Sequence, residues 1–219
     1  MATSRIYHSL HLDISRNGSE SICYILLPEK LKESEKPWLD RMAEEFNSNF
    51  VVVSGIDWED DLTPWKAPGT KSGNFGGNAR QFVDMLKGDF FNIENSMQLN
   101  RQKRYVIGVS LSGLFAVWST AVLPLFDAVG SVSGSLWYDG FADWFRNAGE
   151  YSCSRYYFSL GEKEKSGRNK RLSNVDEFTH SIADHLKSYG KEVTIEYNEG
   201  NHFGPLIERI EKAIINIMQ

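Results

Sequence analysis

Tyr105-Val106-Ile107-Gly108-Val109-Ser110-Leu111-Ser112-Gly113-Leu114-Phe115-Ala116 joins an apolar, β-branched run to a helix-forming one through Gly-x-Ser-x-small. A serine on so abrupt a strand-to-helix turn has its hydroxyl pushed out beyond the end of the sheet, the geometry of a nucleophile elbow. The turn is tight enough that the residues two before and two after the serine must be small. Gly108 meets that demand fully, and Ser112 stands where the pattern calls for glycine. Taking Ser112 as the central residue would put Leu114 at the crowded position, so Ser110 is the candidate nucleophile. The competing reading is a plain βα turn in which Ser110 and Ser112 cap the following helix. A phosphate loop is disfavoured, because the chain has no Gly-x-x-x-x-Gly-Lys-Ser/Thr string.

A serine hydroxyl needs a histidine to take its proton and a carboxylate to orient that histidine. Of the five histidines, His8 and His11 fall in the amino-terminal strand region. His180 and His185 fall in a helical pattern whose apolar stripe is Val175, Phe178, Ile182, Leu186 and Tyr189. His202 lies instead in Glu199-Gly200-Asn201-His202-Phe203-Gly204-Pro205. The strand-like Glu192–Tyr197 precedes that loop, and a helix with Leu206, Ile210, Ala213, Ile214 and Ile217 on one face follows it. A base between the last strand and the last helix suits the chain order Ser…acid…His. The acid should then fall between Ser110 and His202. Glu164, in the turn Gly161-x-x-Glu164 after the strand Arg155–Leu160, is the candidate, with Glu162 and Asp139 as rivals. Glu162 and Glu164 alternate with Lys163 and Lys165, a pattern that also describes solvated surface.

Stabilising the transition state takes at least two donors aimed at the developing oxyanion. The Leu111 N–H, next to the serine, is one. The second is expected where Phe50–Val53 exits through Ser54-Gly55-Ile56, from the N–H of Ile56 or Gly55. Aromatic residues gather after the same strand (Trp58, Trp65) and after Ser133 (Trp137, Tyr138, Phe141, Trp144, Phe145). Trp58, Trp65 and Trp137 are candidates for an apolar substrate pocket. The i, i+3, i+4 spacing of Phe141, Trp144 and Phe145 equally describes the buried stripe of a short helix.

The remaining segments read as one α/β domain spanning residues 1–219. Ile6–Ile14 and Ser21–Leu27 are strand-like, and Asn17-Gly18 between them is a type I′ hairpin signal. Pro37 opens a helix with Leu39, Met42, Ala43 and Phe46 inward, and Phe82, Val83, Met85 and Leu86 mark another. The 58–78 loop between them is long enough to suggest function or motion. Alternating β and α units predict a mostly parallel central sheet with an antiparallel start and helices on both faces. A length of 219 residues with 41% hydrophobic content suits one such core. The formal charge of −5 argues against a nucleic-acid partner. No apolar run approaches a bilayer span. The start Met1–Arg5 lacks the apolar core of a secretion signal. Cys23 and Cys153 lack metal-ligand spacing and read as reduced, structural thiols of a cytoplasmic protein.

Several stretches together resemble the esterase-D-like branch of the α/β-hydrolases, which includes ferric-siderophore trilactone esterases, feruloyl esterases and S-formylglutathione hydrolase. Gly108–Ala116 is similar to that group's Gly-x-Ser-x-Gly-Gly-x-x-Ala, and Ser131-Val132-Ser133-Gly134-Ser135-Leu136-Trp137 to its Ser-x-Ser-Pro-Ser-x-Trp. Ser159–Glu164, Glu199–Phe203 and Asp60-Asp61-Leu62-Thr63-Pro64-Trp65 extend the resemblance in the same order over roughly residues 50 to 205. Ser112 replaces a glycine and Gly134 a proline. Asp60-Asp61 stands where an arginine is common, so the resemblance does not extend to an anion-binding arginine there. It implies an α/β-hydrolase fold and cleavage of a small-molecule carboxylic ester by a Ser110–His202–Glu164 triad, through an acyl-enzyme and without a cofactor or metal. The same machinery serves thioesterases and peptidases. A different class of answer is a non-catalytic protein of this fold that binds a ligand or partner.

Overall fold

Two antiparallel strands, β1 (Thr3–Tyr7) and β2 (Leu10–Ser15), begin the chain, with Leu10, Leu12 and Ile14 of β2 buried. The computed structural model describes residues 1–7, 10–70, 73–96 and 103–219, so the expectation for His8 lies outside the described residues. Two compact units, residues 1–106 and 107–219, are described in turn.

In the first unit, β3 (Ser21–Leu26) is followed by helix α1 (Lys36–Glu45) and strand β4 (Asn49–Ser54). Proline in the first turn of α1 loses no helical hydrogen bond, and Trp38, Leu39, Met42 and Ala43 form its buried face. β4 pairs antiparallel with β2 and parallel with β3. It is buried along its whole length, as a strand covered on both faces must be.

The first two predicted strands differ from the structure in an instructive way. The expected strand Ile6–Ile14 is two antiparallel strands, and Asn17-Gly18 does not close a hairpin, because β4 lies between β2 and β3. Gly18 does adopt a positive φ of 78°, so the local turn signal was sound. Asn49 of β4 overrides it. Its Nδ2 donates to the carbonyls of Ser19 and Ser21 and its Oδ1 accepts from the Asn17 N–H, while Asn17 Nδ2 donates to the Ala43 carbonyl. These bonds satisfy the connection from the side of the intervening strand, a partner 30 residues away that a local pattern does not contain.

The loop after β4 holds a two-residue pairing of β5 (Ala67–Pro68) with β6 (Asn74–Phe75). It is tied internally by buried Thr63, whose hydroxyl donates to the Glu59 carbonyl and accepts from the Gly77 N–H. Asp61 in this loop has its carboxyl pushed up by burial and by Asp57 and Asp60 beside it. Helix α2 (Ala79–Ser96) follows, and β7 (Lys103–Val109) starts in this unit. Tyr24 of β3 stacks on Phe90 of α2 at 3.7 Å between ring centroids and donates its hydroxyl to Glu94 at 3.1 Å. Buried Glu94 is bridged by both arms of buried Arg104, at 2.5 and 2.7 Å.

The second unit takes the end of β7 into helix α3 (Leu111–Val122), then β8 (Ala128–Val132), α4 (Phe141–Ala148) and β9 (Arg155–Gly161). A 3-10 turn at Glu164–Ser166, the short α5 (Lys170–Ser173), α6 (Val175–Ser188), β10 (Glu192–Asn198) and α7 (Leu206–Met218) complete it. β8, β9 and β10 run parallel in register. Ten residues of α3, Leu111–Thr120, are buried, which suits a run without a charged side chain. Gly130 lets α7 approach β8: a Cβ there would stand 3.2 Å from the Cβ of Ala213. Phe141 and Phe145 are fully buried in α4, so that pair forms a core stripe rather than a pocket wall. The strand order of the sheet is β1-β2-β4-β3-β7-β8-β9-β10, mostly parallel with an antiparallel hairpin at its start.

Cys23 and Cys153 are free and buried. Burial pushes both thiols up, that of Cys153 to about 12. No described helix is long and apolar enough to cross a membrane. Among the described residues no group of three or more His, Cys, Asp or Glu is placed to hold a metal ion.

Candidate active site

The loops leaving β7, β8, β9 and β10 at their carboxyl ends carry Ser110, Ser133, Glu164 and His202. This is the edge of a parallel sheet at which ligand sites collect. Ser110 sits between β7 and α3 with φ 55° and ψ −120°, a conformation costly for any residue with a side chain. The surrounding turn is built to hold it. A Cβ on Gly108 would overlap the Ser112 carbonyl and lie 2.6 Å from the Gly113 nitrogen, so only glycine fits two residues before the serine. At the other small position, Ser112 supplies what glycine would not: its hydroxyl accepts from the Val109 N–H (2.7 Å) and donates to the Val109 carbonyl (2.9 Å). The Ser110 N–H donates to the Val132 carbonyl, and its carbonyl accepts from Leu114 and Ser135. Gly134, where the resembled pattern has proline, leaves room for Ser131 Oγ, which a Cβ at 134 would overlap.

Ser110 Oγ lies 3.2 Å from His202 Nε2, and His202 Nδ1 lies 3.0 Å from Glu164 Oε2. The other carboxylate oxygen, Oε1, accepts from the Gly161 N–H (2.6 Å) and the Ser133 hydroxyl (2.7 Å). Burial raises the Glu164 pKa, but the hydrogen bonds from His202, Gly161 and Ser133 outweigh it. The carboxyl is held below its ordinary value. An ionised Glu164 only accepts, so Nδ1 carries the imidazole proton and bare Nε2 accepts from Ser110.

The acid and base loops are also joined through their backbones. Glu162 N–H donates to the Asn198 carbonyl and Lys163 N–H to the Gly200 carbonyl, both at 2.9 Å. Gly161 makes that approach possible, since a Cβ there would meet the Asn201 and Gly200 carbonyl oxygens at 2.7 and 2.8 Å.

Of the sequence candidates, the structure brings Ser110, His202 and Glu164 into one hydrogen-bonded line. Leu111 opens α3, so its N–H is one of the first-turn amides without a partner inside the helix. The rival carboxylates are elsewhere: Glu162 is exposed, and Asp139 pairs with Arg171 Nε at 2.7 Å. Trp137 is buried, with the Arg171 guanidinium 5.1 Å over its ring. Ile56 is buried, and Trp58 and Trp65 are half-buried, in the first unit. The other described histidines have different neighbours: His11 lies 3.4 Å from Asp13, His180 bonds Tyr197, and His185 bonds Tyr151.

Sequence reasoning missed three groups. Ser135 places its hydroxyl 3.4 Å from that of Ser110. Ser133, with φ 46°, donates to Glu164. Arg209 of α7 donates to Ser133 Oγ at 3.1 Å. The available signal for the last was a lone cation on an otherwise apolar helix stripe.

No protein-family model matches the chain. A protein of Bacillus subtilis described as the uncharacterised protein YbbA is 31% identical over 165 residues, 71% of this chain. The match spans 65% of YbbA, so the chain corresponds to less than two thirds of that relative's length. Among solved structures, an IroE-like serine hydrolase from Shewanella oneidensis superimposes with a TM-score of 0.77 at 16% identity, covering 98% of this chain and 78% of that one. The siderophore hydrolase EstA from Aspergillus nidulans gives 0.73 at 18% identity over 98% and 92% of the two chains. The BES protein from Bacillus cereus gives 0.70 at 16% over 100% and 96%. At such identities the shared property is architecture, and the chain has the α/β-hydrolase fold in the form seen in these serine and siderophore hydrolases.

Proposed function

We propose that this chain is a carboxylic ester hydrolase with Ser110 as nucleophile, His202 as general base and Glu164 as the orienting acid. The single observation carrying the reading is the line from Ser110 Oγ through both nitrogens of His202 to Glu164 Oε2. In this mechanism His202 Nε2 takes the Ser110 proton as Oγ attacks the ester carbonyl, and ionised Glu164 stabilises the imidazolium. The Leu111 N–H binds the developing oxyanion. His202 then protonates the leaving alcohol. Water, activated by the same nitrogen, cleaves the acyl-enzyme and restores Ser110. Every proton in this cycle moves through His202, and the reading assigns no step to a cofactor.

The test is turnover on matched oxygen-ester, thioester and amide substrates by wild-type, Ser110→Ala and His202→Ala proteins. Siderophore esters join the panel because EstA is described as a siderophore hydrolase. The proposal expects the oxygen ester to be cleaved fastest, and either substitution to cost on the order of 10⁴ to 10⁶ in kcat with strong non-additivity. Near-normal turnover by folded Ser110→Ala would end it. A thioester or amide strongly preferred over the oxygen ester would redirect it to that reaction.

A further inference from the structure

Arg209 lies on the face of α7 that otherwise buries Ile210, Ala213, Ile214 and Ile217, and it is only 2% exposed. Burying a guanidinium is costly unless its donors are matched. Here Nη1 and Nη2, though not Nε, are matched to the loops that hold the proposed acid and base. Nη2 donates to the Glu199 and Asn201 carbonyls, at 3.0 and 2.9 Å, on either side of Gly200 in the His202 loop. Nη1 donates to Ser133 Oγ. Gly204 completes the seat, because a Cβ there would run into the guanidinium.

The direction of these bonds matters more than their number. Arginine can only donate. Ser133 Oγ therefore accepts from Arg209, and its single proton is left for Glu164 Oε1 at 2.7 Å. With the Gly161 N–H on the same oxygen, Oε1 is fully supplied and Oε2 is left to His202. We propose that Arg209 is a positioning residue: it orients the Ser133 hydroxyl toward Glu164 and fastens the 199–201 backbone, so that His202 stays in register with its acid. The consequence for turnover rests on the triad reading. The consequence for the His202–Glu164 hydrogen bond does not.

The experiment follows the proton between His202 Nδ1 and Glu164 by its low-field NMR resonance in wild-type, Arg209→Ala, Arg209→Lys and Ser133→Ala proteins, alongside kcat and KM. The expected result is a resonance lost or shifted in Arg209→Ala and Ser133→Ala, and partly kept in Arg209→Lys. The accompanying loss should be about 10- to 100-fold and lie in kcat rather than KM, as for partners that orient other functional histidines. Added guanidinium should restore the signal and several-fold activity to Arg209→Ala. A solvent route exists, since Arg209 borders a cavity of about 500 Å³ with Lys163, Asn198, Glu208 and Lys212. An unchanged resonance in folded Arg209→Ala and Ser133→Ala overturns the proposal, as does a loss confined to KM. Should Arg209→Ala fail to fold, Ser133→Ala decides alone, since it removes one hydroxyl. Failure of the hydrolase reading appears separately, as a wild-type protein that turns over no ester while the resonance still responds to Arg209.

Discussion

Replacing Gly108 by alanine tests whether the turn at Ser110 is as constrained as its geometry indicates. The new Cβ would lie 2.6 Å from the Gly113 nitrogen and overlap the Ser112 carbonyl, all of it backbone that no rotamer change can move. Unstrained contact needs about 3.5 Å, so the turn must open by at least about 1 Å. Opening it also pulls on the two hydrogen bonds between Ser112 Oγ and Val109. Overpacking of this kind costs typically 1–3 kcal/mol, which for a chain of this size lowers Tm by roughly 2–12 °C. The effect on function should be larger. Ser110 Oγ is held 3.2 Å from His202 Nε2, and a displacement of about 1 Å at a reacting group can cost on the order of 100-fold. The assay is the rate of inactivation by a fluorophosphonate together with a thermal melt. Gly134→Ala is the control, since its Cβ would overlap only the rotatable Ser131 hydroxyl and otherwise meet backbone no closer than 3.4 Å. A Gly108→Ala protein that reacts at the wild-type rate would refute the reasoning, as would a Gly134→Ala protein equally impaired.

Ser112→Ala should lower stability by about 1–2 kcal/mol through its two lost elbow hydrogen bonds, read as a drop in the denaturation midpoint. Arg104→Met should cost about 3–5 kcal/mol, because it leaves Glu94 buried and charged beneath Tyr24; urea unfolding measures it. The Glu164 carboxyl is depressed in the folded state, so its stabilisation is present above its ordinary pKa of 4.5 and lost as pH falls through the folded value. The Tm difference between wild type and Glu164→Gln should therefore shrink as pH is lowered below about 4.5, and a pH-independent difference would contradict that linkage.

What the sequence disclosed depended on how local its cause is. Gly108 and the β-branched run before it act within a few residues of Ser110, and the turn was legible for that reason. Glu164 and His202 were legible through chain order, since each follows the carboxyl end of a parallel strand. Asn17-Gly18 was misread because a remote side chain, Asn49, satisfies the turn and inserts β4 between the two strands. Ser112 looked like an imperfect glycine until its hydroxyl was seen to close the turn. Arg209 was hidden by periodicity: a stripe drawn through Ile210, Ala213 and Ile217 contains no reason for a cation, and its partners lie up to 76 residues away. The Glu94–Arg104 pair was equally out of reach, because nothing in the local pattern says that both residues are buried.

The measurement that bears most directly on the central claim is the intact mass of the protein after exposure to a fluorophosphonate, run beside Ser110→Ala and His202→Ala. The triad account predicts one covalent adduct on the wild-type chain, none on Ser110→Ala, and labelling slowed by orders of magnitude on His202→Ala. An adduct that persists in Ser110→Ala, or a folded wild-type protein that takes none, would contradict it.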